Sequence, residues 1–371
     1  MILVVFGTTG ELIKIAPVLL RLEQGGHDYL LATTGQQVQQ IPSFLEQFGL
    51  RQPDIWFGRG AGDRDLRVTR DIPGWLASVF RSYLRRRRSL KKTLNAAAGQ
   101  PLVLVHGDTM TTVLGALIGR SLRIPVAHIE SGLRSYDLRH PFPEELNRKL
   151  ASSVARIHYA PGPWAAANLS PRADVVDTGS NTMRDSMQLV PDGELPFSLP
   201  KEPYGIVSLH RFELLNNKRQ LTETMQLLAL AARRTPLFFI DHPVTGAALA
   251  RFGLEGLFDD SRLVRIPRLR FFEFIRAERG AGFVVTDSGG SQEECFYLDL
   301  PCLVHRAKTE RREGLGENAV LSGMRMDVLR DFLADPGRYR RRSVLPEDSP
   351  SQVIVDDLVR RGFAAGKRAG S

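Results

Sequence analysis

One pattern limits what this chain can fold into. Short apolar runs, each closed by a turn, alternate with segments of helical spacing. Ile2–Phe6 reads as a strand and Leu12–Gln24 as a helix, then Tyr29–Ala32 as a strand and Val38–Phe48 as a helix. Leu102–Val105 and Val126–Ile129 are further strands with the helix Thr111–Ser121 between them, and Ile157–Ala160 and Val175–Val176 complete the series. Strands alternating with helices predict a parallel sheet with right-handed crossovers and helices on both faces. The pattern starts again with the strand Tyr204–Leu209, the helix Lys218–Arg234 and the strands Leu237–Ile240, Leu263–Arg265, Phe283–Thr286 and Cys302–His305. A length of 371 residues accommodates two such domains. Val190–Pro203, with Pro191, Pro196, Pro200 and Pro203, reads as the linker. The expected class is therefore α/β, with a doubly wound, Rossmann-like domain over 1–189, a linker over 190–203 and a second such domain over 204–350. A helix and a frayed basic tail follow over 351–371, the tail being Gly366–Ser371. Two domains of this kind facing across a cleft make a favoured ligand site.

Charge narrows the partners. The formal net charge is +9, and part of the excess is clustered at Arg85-Arg86-Arg87-Arg88 with Lys91-Lys92 and at Arg340-Arg341-Arg342. The first cluster lies in a helical pattern whose apolar positions are Trp75, Val79, Tyr83, Leu90 and Leu94, so its plain reading is a solvated helix face. No aromatic residues interleave with the cations as a nucleic-acid groove requires, and no nucleic-acid partner is expected. Cys295 and Cys302 are too few for a disulfide framework. Met1–Phe6 has no basic flank and runs straight into a glycine turn, unlike a signal peptide. No apolar run approaches the roughly 20 residues of a membrane span. A cytoplasmic protein without stable membrane insertion is expected.

The chemistry concentrates at strand ends. Asp108 follows the run Leu102–Val105, Glu130 follows Val126–Ile129, and Glu144 stands in a Pro-Phe-Pro-Glu-Glu segment that enters a helix. In open α/β sheets ligands bind beyond the carboxyl ends of the strands. Carboxyl groups that converge there push each other's pKa values apart, giving an acid and a base in one site. Gly7-Thr8-Thr9-Gly10-Glu11 opens the first helix, where glycine lets backbone approach a ligand and the helix N-terminus favours negative charge. Lys14, on the first turn of that helix, either reaches a phosphate or lies on a solvated face. Thr286-Asp287-Ser288-Gly289-Gly290 leads from a strand into a helix containing Glu294; its backbone N–H groups suit a diphosphate and Glu294 suits ribose hydroxyls. The plainer alternative makes Asp287 or Ser288 an N-cap. His210-Arg211 and His242 also end strands, and Arg311 in the Thr309–Glu313 loop suits a phosphate or forms a surface ion pair. Dinucleotide, Walker and nucleophile-elbow spacings are missing from the sequence, as is zinc-ligand spacing.

The motifs GTTGELIKIAP, VHGDTMTT, HIESGLRSYDLRHPFPEELNR, TDSGGSQEE and TERRE, in that order, resemble the UDP-N-acetylglucosamine 2-epimerases of the glycosyltransferase-B fold. The resemblance implies inversion at C2 of UDP-N-acetylglucosamine by elimination of UDP to a 2-acetamidoglucal and re-addition. That route requires no nicotinamide, metal or other cofactor. It implies catalytic roles for Asp108, Glu130 and Glu144, with His210 assisting departure of the diphosphate. It also implies substrate contacts from Lys14, Arg211, Ser288, Gly289, Gly290, Glu294 and Arg311, and a homodimer.

The chain departs from the family pattern at three places. The usual GTRPE reads Gly7-Thr8-Thr9-Gly10-Glu11, which replaces an arginine with Thr9 and removes one phosphate contact. The usual HRRE reads His210-Arg211-Phe212-Glu213. Thr34-Gly35-Gln36-Gln37-Val38 lacks the QH pair of the bacterial allosteric region. The alternatives to a non-hydrolysing epimerase are a hydrolysing relative that releases N-acetylmannosamine and UDP, or a glycosyltransferase of the same architecture.

Overall fold

The computed structural model describes residues 1–66, 68–137, 143–259, 262–342 and 344–365. Pro141 and Phe142, expected in the loop before Glu144, and the tail Gly366–Ser371 lie outside them. The chain forms two units, Met1–Leu189 together with the segment from Leu345 onward, and Val190–Val344.

The first unit is built on a parallel sheet of strands β1 (Ile2–Phe6), β2 (Tyr29–Thr33), β3 (Ile55–Trp56), β4 (Leu102–His106), β5 (Val126–Ile129), β6 (Ile157–Ala160) and β7 (Asp174–Asp177). Their order is β3-β2-β1-β4-β5-β6-β7. The direction of winding reverses between β1 and β4, which pair in register from Ile2↔Leu102 to Val5↔Val105. Every residue of β1, β4, β5 and β6 is buried. A strand covered by helices on both faces is apolar along nearly its whole length, so these runs are near-continuous rather than alternating, interrupted by His106, His128 and His158. β3 was not expected: it has two residues, too few for a pattern.

The helix Ile72–Ala96 buries Trp75, Val79, Tyr83, Leu90 and Leu94 against Leu3, Val5 and Val103. Its Arg85–Arg88 and Lys91-Lys92 are exposed, as a solvated face requires. No helix among the described residues is long and apolar enough to cross a membrane.

The second unit repeats the plan with β8 (Gly205–Ser208), β9 (Leu237–Asp241), β10 (Leu263–Pro267), β11 (Phe283–Thr286), β12 (Cys302–Val304) and β13 (Ala319–Leu321), all parallel. The order β10-β9-β8-β11-β12-β13 reverses between β8 and β11. The three-residue β13 was also not expected.

Two boundaries differ from expectation. The proline-rich stretch does not stand free as a linker. Leu195, Phe197 and Leu199 pack on the second unit's core, the Phe197 and Phe238 rings lie 5.6 Å apart, and Arg276 donates to Pro191 O at 2.8 Å. The second unit ends at Val344 rather than 350, and the helix Pro350–Arg360 belongs to the first unit. That helix buries Ile354, Val355 and Leu358, each worth roughly 1.5–3 kcal/mol. Buried Asp185 fixes its start by accepting from Ser349 Oγ at 2.7 Å and Ser351 N at 2.8 Å.

Candidate active site

In the first unit the chemistry lies at the carboxyl ends of β1, β4 and β5. The turn after β1 is tight: a side chain at Gly7 would come within 2.1 Å of Thr111 Oγ1 and 2.4 Å of Thr34 Oγ1. Thr8 and Glu11 then form a capping box on the helix Thr9–Gln24. Thr9, where the family pattern has arginine, is tied by its N (2.7 Å) and Oγ1 (2.8 Å) to Gln37 Oε1. Two of the three departures from the family pattern therefore touch each other.

Lys14 lies one turn further along than expected, and its side chain is buried rather than on a solvated face. Its ammonium is buried and donates to Glu130. Asn181 Nδ2 donates to the same carboxylate oxygen, and His106 Nε2 stands 3.9 Å from it. Glu130 itself has a left-handed backbone, φ 61°. For a residue with a Cβ that conformation costs roughly 1–2 kcal/mol. The charge-assisted bonds offset the strain.

Asp108 ends the β4 turn. It pairs with Arg148 of the helix Glu144–Val154, and Asn147 Nδ2 of the same helix donates to Asp108 O at 2.9 Å. Arg148 also lies 3.6 Å from Glu145 Oε2, which accepts from Ser135 N at 3.0 Å. Glu144 opens this helix half-buried, and its Oε2 is enclosed with no hydrogen-bond partner among the described residues. His128 donates from Nε2 to Gly107 O at 2.7 Å and is held neutral, its pKa pushed down to about 4 by burial. The structure thus joins Lys14 to Glu130, and Asp108 to the helix that begins at Glu144. Glu130 and Asp108 are each paired with a cation. His106, Arg148 and Asn181 were not anticipated, because only the folded chain brings them to these carboxylates.

The second unit presents a different chemistry at the ends of β8 and β11. Asp287 is not an N-cap. Its Oδ2 accepts from His210 N (2.8 Å) and Arg211 N (2.7 Å), and its Oδ1 stands 3.4 Å from His210 Nδ1. Burial raises the Asp287 pKa to about 6 against the opposing effect of those N–H bonds. The His210 and His242 rings lie 4.6 Å apart. Burial, and then the positive charge of Arg211, push His210 down to about 4; burial and then His210 do the same to His242. Both imidazoles are therefore neutral at pH 7.

The turn that follows β11 is closed by Ser288 N donating to Thr286 Oγ1 at 3.0 Å. Ser288 makes no side-chain cap on the helix Gly289–Tyr297. The first N–H groups of that helix thus lack the side-chain acceptor that an N-cap supplies. A side chain at Gly289 would meet Glu310 Oε1 at 3.0 Å and Arg311 Cγ at 3.2 Å, so glycine lets the Thr309–Glu313 loop lie close to this helix start. Gln292 fastens the loop: its Oε1 accepts from Thr309 Oγ1 at 2.8 Å and its Nε2 donates to Glu313 O at 2.9 Å. Arg311 is buried and pairs with Glu293 at 3.3 Å, so the surface ion pair is not what forms. Glu294 is buried beside Glu278 rather than open to solvent, and Glu278 is held well above the usual carboxylate range by burial and then by Glu294. Arg306, unanticipated, pairs with Glu310 at 3.3 Å; burial lowers its pKa.

Comparison with known proteins adds to this geometry. Residues 22–328 match the model of the UDP-N-acetylglucosamine 2-epimerase family. A UDP-N-acetylglucosamine 2-epimerase of Bacillus subtilis is 32% identical over 96% of this chain and 94% of its own length. The crystal structure of UDP-GlcNAc 2-epimerase from Neisseria meningitidis bound to UDP-GlcNAc is similar at 26% identity and a TM-score of 0.78, covering 97% of this chain and 99% of that one. The Methanocaldococcus jannaschii UDP-GlcNAc 2-epimerase in complex with UDP-GlcNAc and UDP is similar at 26% identity and a TM-score of 0.77, with the same coverage of 97% and 99%.

Proposed function

Because the chain belongs to the UDP-N-acetylglucosamine 2-epimerase family, we propose that it is a non-hydrolysing UDP-sugar 2-epimerase that interconverts UDP-N-acetylglucosamine and UDP-N-acetylmannosamine. The observation that carries the reading is the uncapped start of the helix Gly289–Tyr297, with neutral His210 at the adjoining strand end. A leaving diphosphate needs N–H donors and positive potential, and a helix N-terminus supplies both. Arg211, which follows His210, adds a cation. In the reaction the C1–O bond to UDP breaks and the C2 proton leaves, giving a 2-acetamidoglucal and UDP. A proton then adds to C2 from the opposite face as UDP re-forms the bond at C1. Departure of the diphosphate makes C1 cationic and acidifies the C2–H, so the chemistry needs carboxylates to move the proton and stabilise that charge.

Asp108, Glu130 and Glu144 of the first unit take this part. The ion pairs of Glu130 with Lys14 and Asp108 with Arg148 support it, because each cation holds its carboxylate in place at a strand end. In this reading His210, Arg211, Ser288, Gly289, Gly290, Glu294 and Arg311 serve the nucleotide.

Incubation with UDP-N-acetylglucosamine in deuterated water, followed by NMR, tests the proposal. Deuterium at C2 of both nucleotide sugars is expected. Free N-acetylmannosamine accumulating with UDP would identify a hydrolysing enzyme instead, and no exchange at C2 would end the epimerase reading.

A further inference from the structure

We propose that Glu11 is a positioning residue for Asp108. Its carboxyl group clamps the turn after β1 to the turn after β4, and that clamp sets the course of the chain at Asp108. The catalytic consequence rests on the function proposed above; the clamp itself does not.

Glu11 is buried in the first turn of the helix Thr9–Gln24. One oxygen, Oε2, accepts from Gly7 N at 2.9 Å, Thr8 N at 2.9 Å and Thr8 Oγ1 at 3.0 Å. That is the ordinary work of a capping box, and one oxygen completes it. The other oxygen points away from the helix it caps. Oε1 accepts from Thr109 Oγ1 at 2.7 Å and has Thr112 Oγ1 at 3.3 Å. Helix capping does not account for this second set of bonds.

Thr109 is the residue after Asp108 and is itself the N-cap of the helix Met110–Leu122. Its hydroxyl accepts from Thr112 N at 3.2 Å while Thr112 Oγ1 donates to His106 O at 2.7 Å, so His106 through Thr112 is a closed loop. Glu11 fastens that loop to the neighbouring turn, at the point in the sheet where β1 and β4 pair and the winding reverses. Arg148 holds the Asp108 side chain from the helix Glu144–Val154. Glu11 holds its backbone through Thr109 from the other side. A carboxylate placed between two such supports keeps one orientation, and a small misplacement of a reacting group costs a large factor in rate.

The test compares Glu11→Ala and Glu11→Gln, with Thr109→Val and Thr109→Ser as the pair that removes and restores the bond between turns, together with the cap that the same hydroxyl gives Thr112 N. Three quantities are read: kcat and KM for deuterium entry at C2, affinity for UDP, and amide hydrogen exchange of the segment 106–112. Glu11→Ala is expected to lower kcat by roughly 100-fold while KM and UDP affinity move less than about threefold, the mark of a lost transition-state arrangement rather than lost binding. Amide exchange at 107–110 is expected to rise at least about tenfold, reporting the released turn. Glu11→Gln turns its amide oxygen to Gly7 and Thr8 and its NH2 to the rotatable Thr109 hydroxyl, and recovers most of both effects. Thr109→Val is expected to lower kcat about tenfold, with Thr109→Ser restoring it. Where Glu11→Ala does not fold, amide exchange at 7–11 in Thr109→Val decides the matter: a broken clamp loosens that turn, whereas a lost cap on Thr112 N does not. Wild-type kcat, or unchanged exchange at 107–110, in a folded Glu11→Ala or in Thr109→Val overturns the inference. If the unaltered protein shows no C2 exchange yet Glu11→Ala still releases 107–110, the clamp stands and the epimerase reading falls.

Discussion

The Lys14–Glu130 pair offers the sharpest energetic test of the first unit. Both side chains are almost fully enclosed, 8% and 4% exposed. Replacing Lys14 with Met keeps the apolar stem and removes the charge, which leaves Glu130 buried without its cation. Breaking a buried pair from one side typically costs roughly 3–5 kcal/mol. Asn181 still donates to Glu130, so the lower end applies, about 3 kcal/mol. Glu130→Gln strands the ammonium of Lys14 instead, at a similar cost. The double variant Lys14→Met with Glu130→Gln leaves no uncompensated charge. It should therefore be less damaged than the sum of the two singles, with a coupling of about 2–3 kcal/mol.

The protein supplies its own probe for this cycle. Its three tryptophans, Trp56, Trp75 and Trp164, all lie in the first unit, and Trp75 is buried with Nε1 donating to Thr34 O at 2.8 Å. Tryptophan emission during urea unfolding thus reports the first unit alone. With a slope of about 2 kcal/mol per molar urea, Lys14→Met should shift the midpoint down by about 1.5 M. A shift below about 0.3 M, or a coupling below about 0.5 kcal/mol, would refute the argument that Lys14 is what keeps a charged Glu130 inside the unit.

Other consequences follow from the same structure. Asp108→Asn should keep UDP affinity within about threefold and lose at least about 100-fold in C2 exchange, measured by calorimetry and NMR; equal exchange would remove Asp108 from the chemistry. Gly289→Ala places a methyl 3.0 Å from Glu310 Oε1, and should weaken UDP binding by about tenfold through a displaced loop while leaving the tryptophan-detected transition unchanged. His305 is buried between Thr224 Oγ1 and Ser322 Oγ, and burial pushes its pKa down from 6.5 to about 4. The unfolded imidazole binds a proton more readily, so the stabilisation is complete above pH 6.5 and is lost as pH falls toward 4, by about 3 kcal/mol. His305→Gln should flatten that acid loss in thermal unfolding followed by circular dichroism between pH 4 and 7.5; an unchanged slope would show that His305 is not its source.

Much of the fold was legible because parallel strands buried on both faces are near-continuous apolar runs. Such runs stand out in Ile2–Phe6, Leu102–His106 and Phe283–Thr286. Their ends also pointed to Asp108, Glu130, His210 and Ser288, since the winding of the sheet places strand ends where ligands bind. Ile55–Trp56 and Ala319–Leu321 were missed because two or three residues carry no pattern. The return of Pro350–Arg360 to the first unit was missed for another reason. Its amphipathic face states that it packs, and only the buried Asp185, 164 positions from Ser349, states where.

Sequence alone determined which residue types stand at the strand ends, because periodicity is a local property that each segment carries by itself. Tertiary structure decided their state. Lys14 meets Glu130 across 116 positions and Arg148 meets Asp108 across 40, and Glu11 reaches Thr109 across 98. Such separations leave no trace in local spacing. Whether a carboxylate is charged, strained or held in place depends on the burial and the partners that folding alone provides.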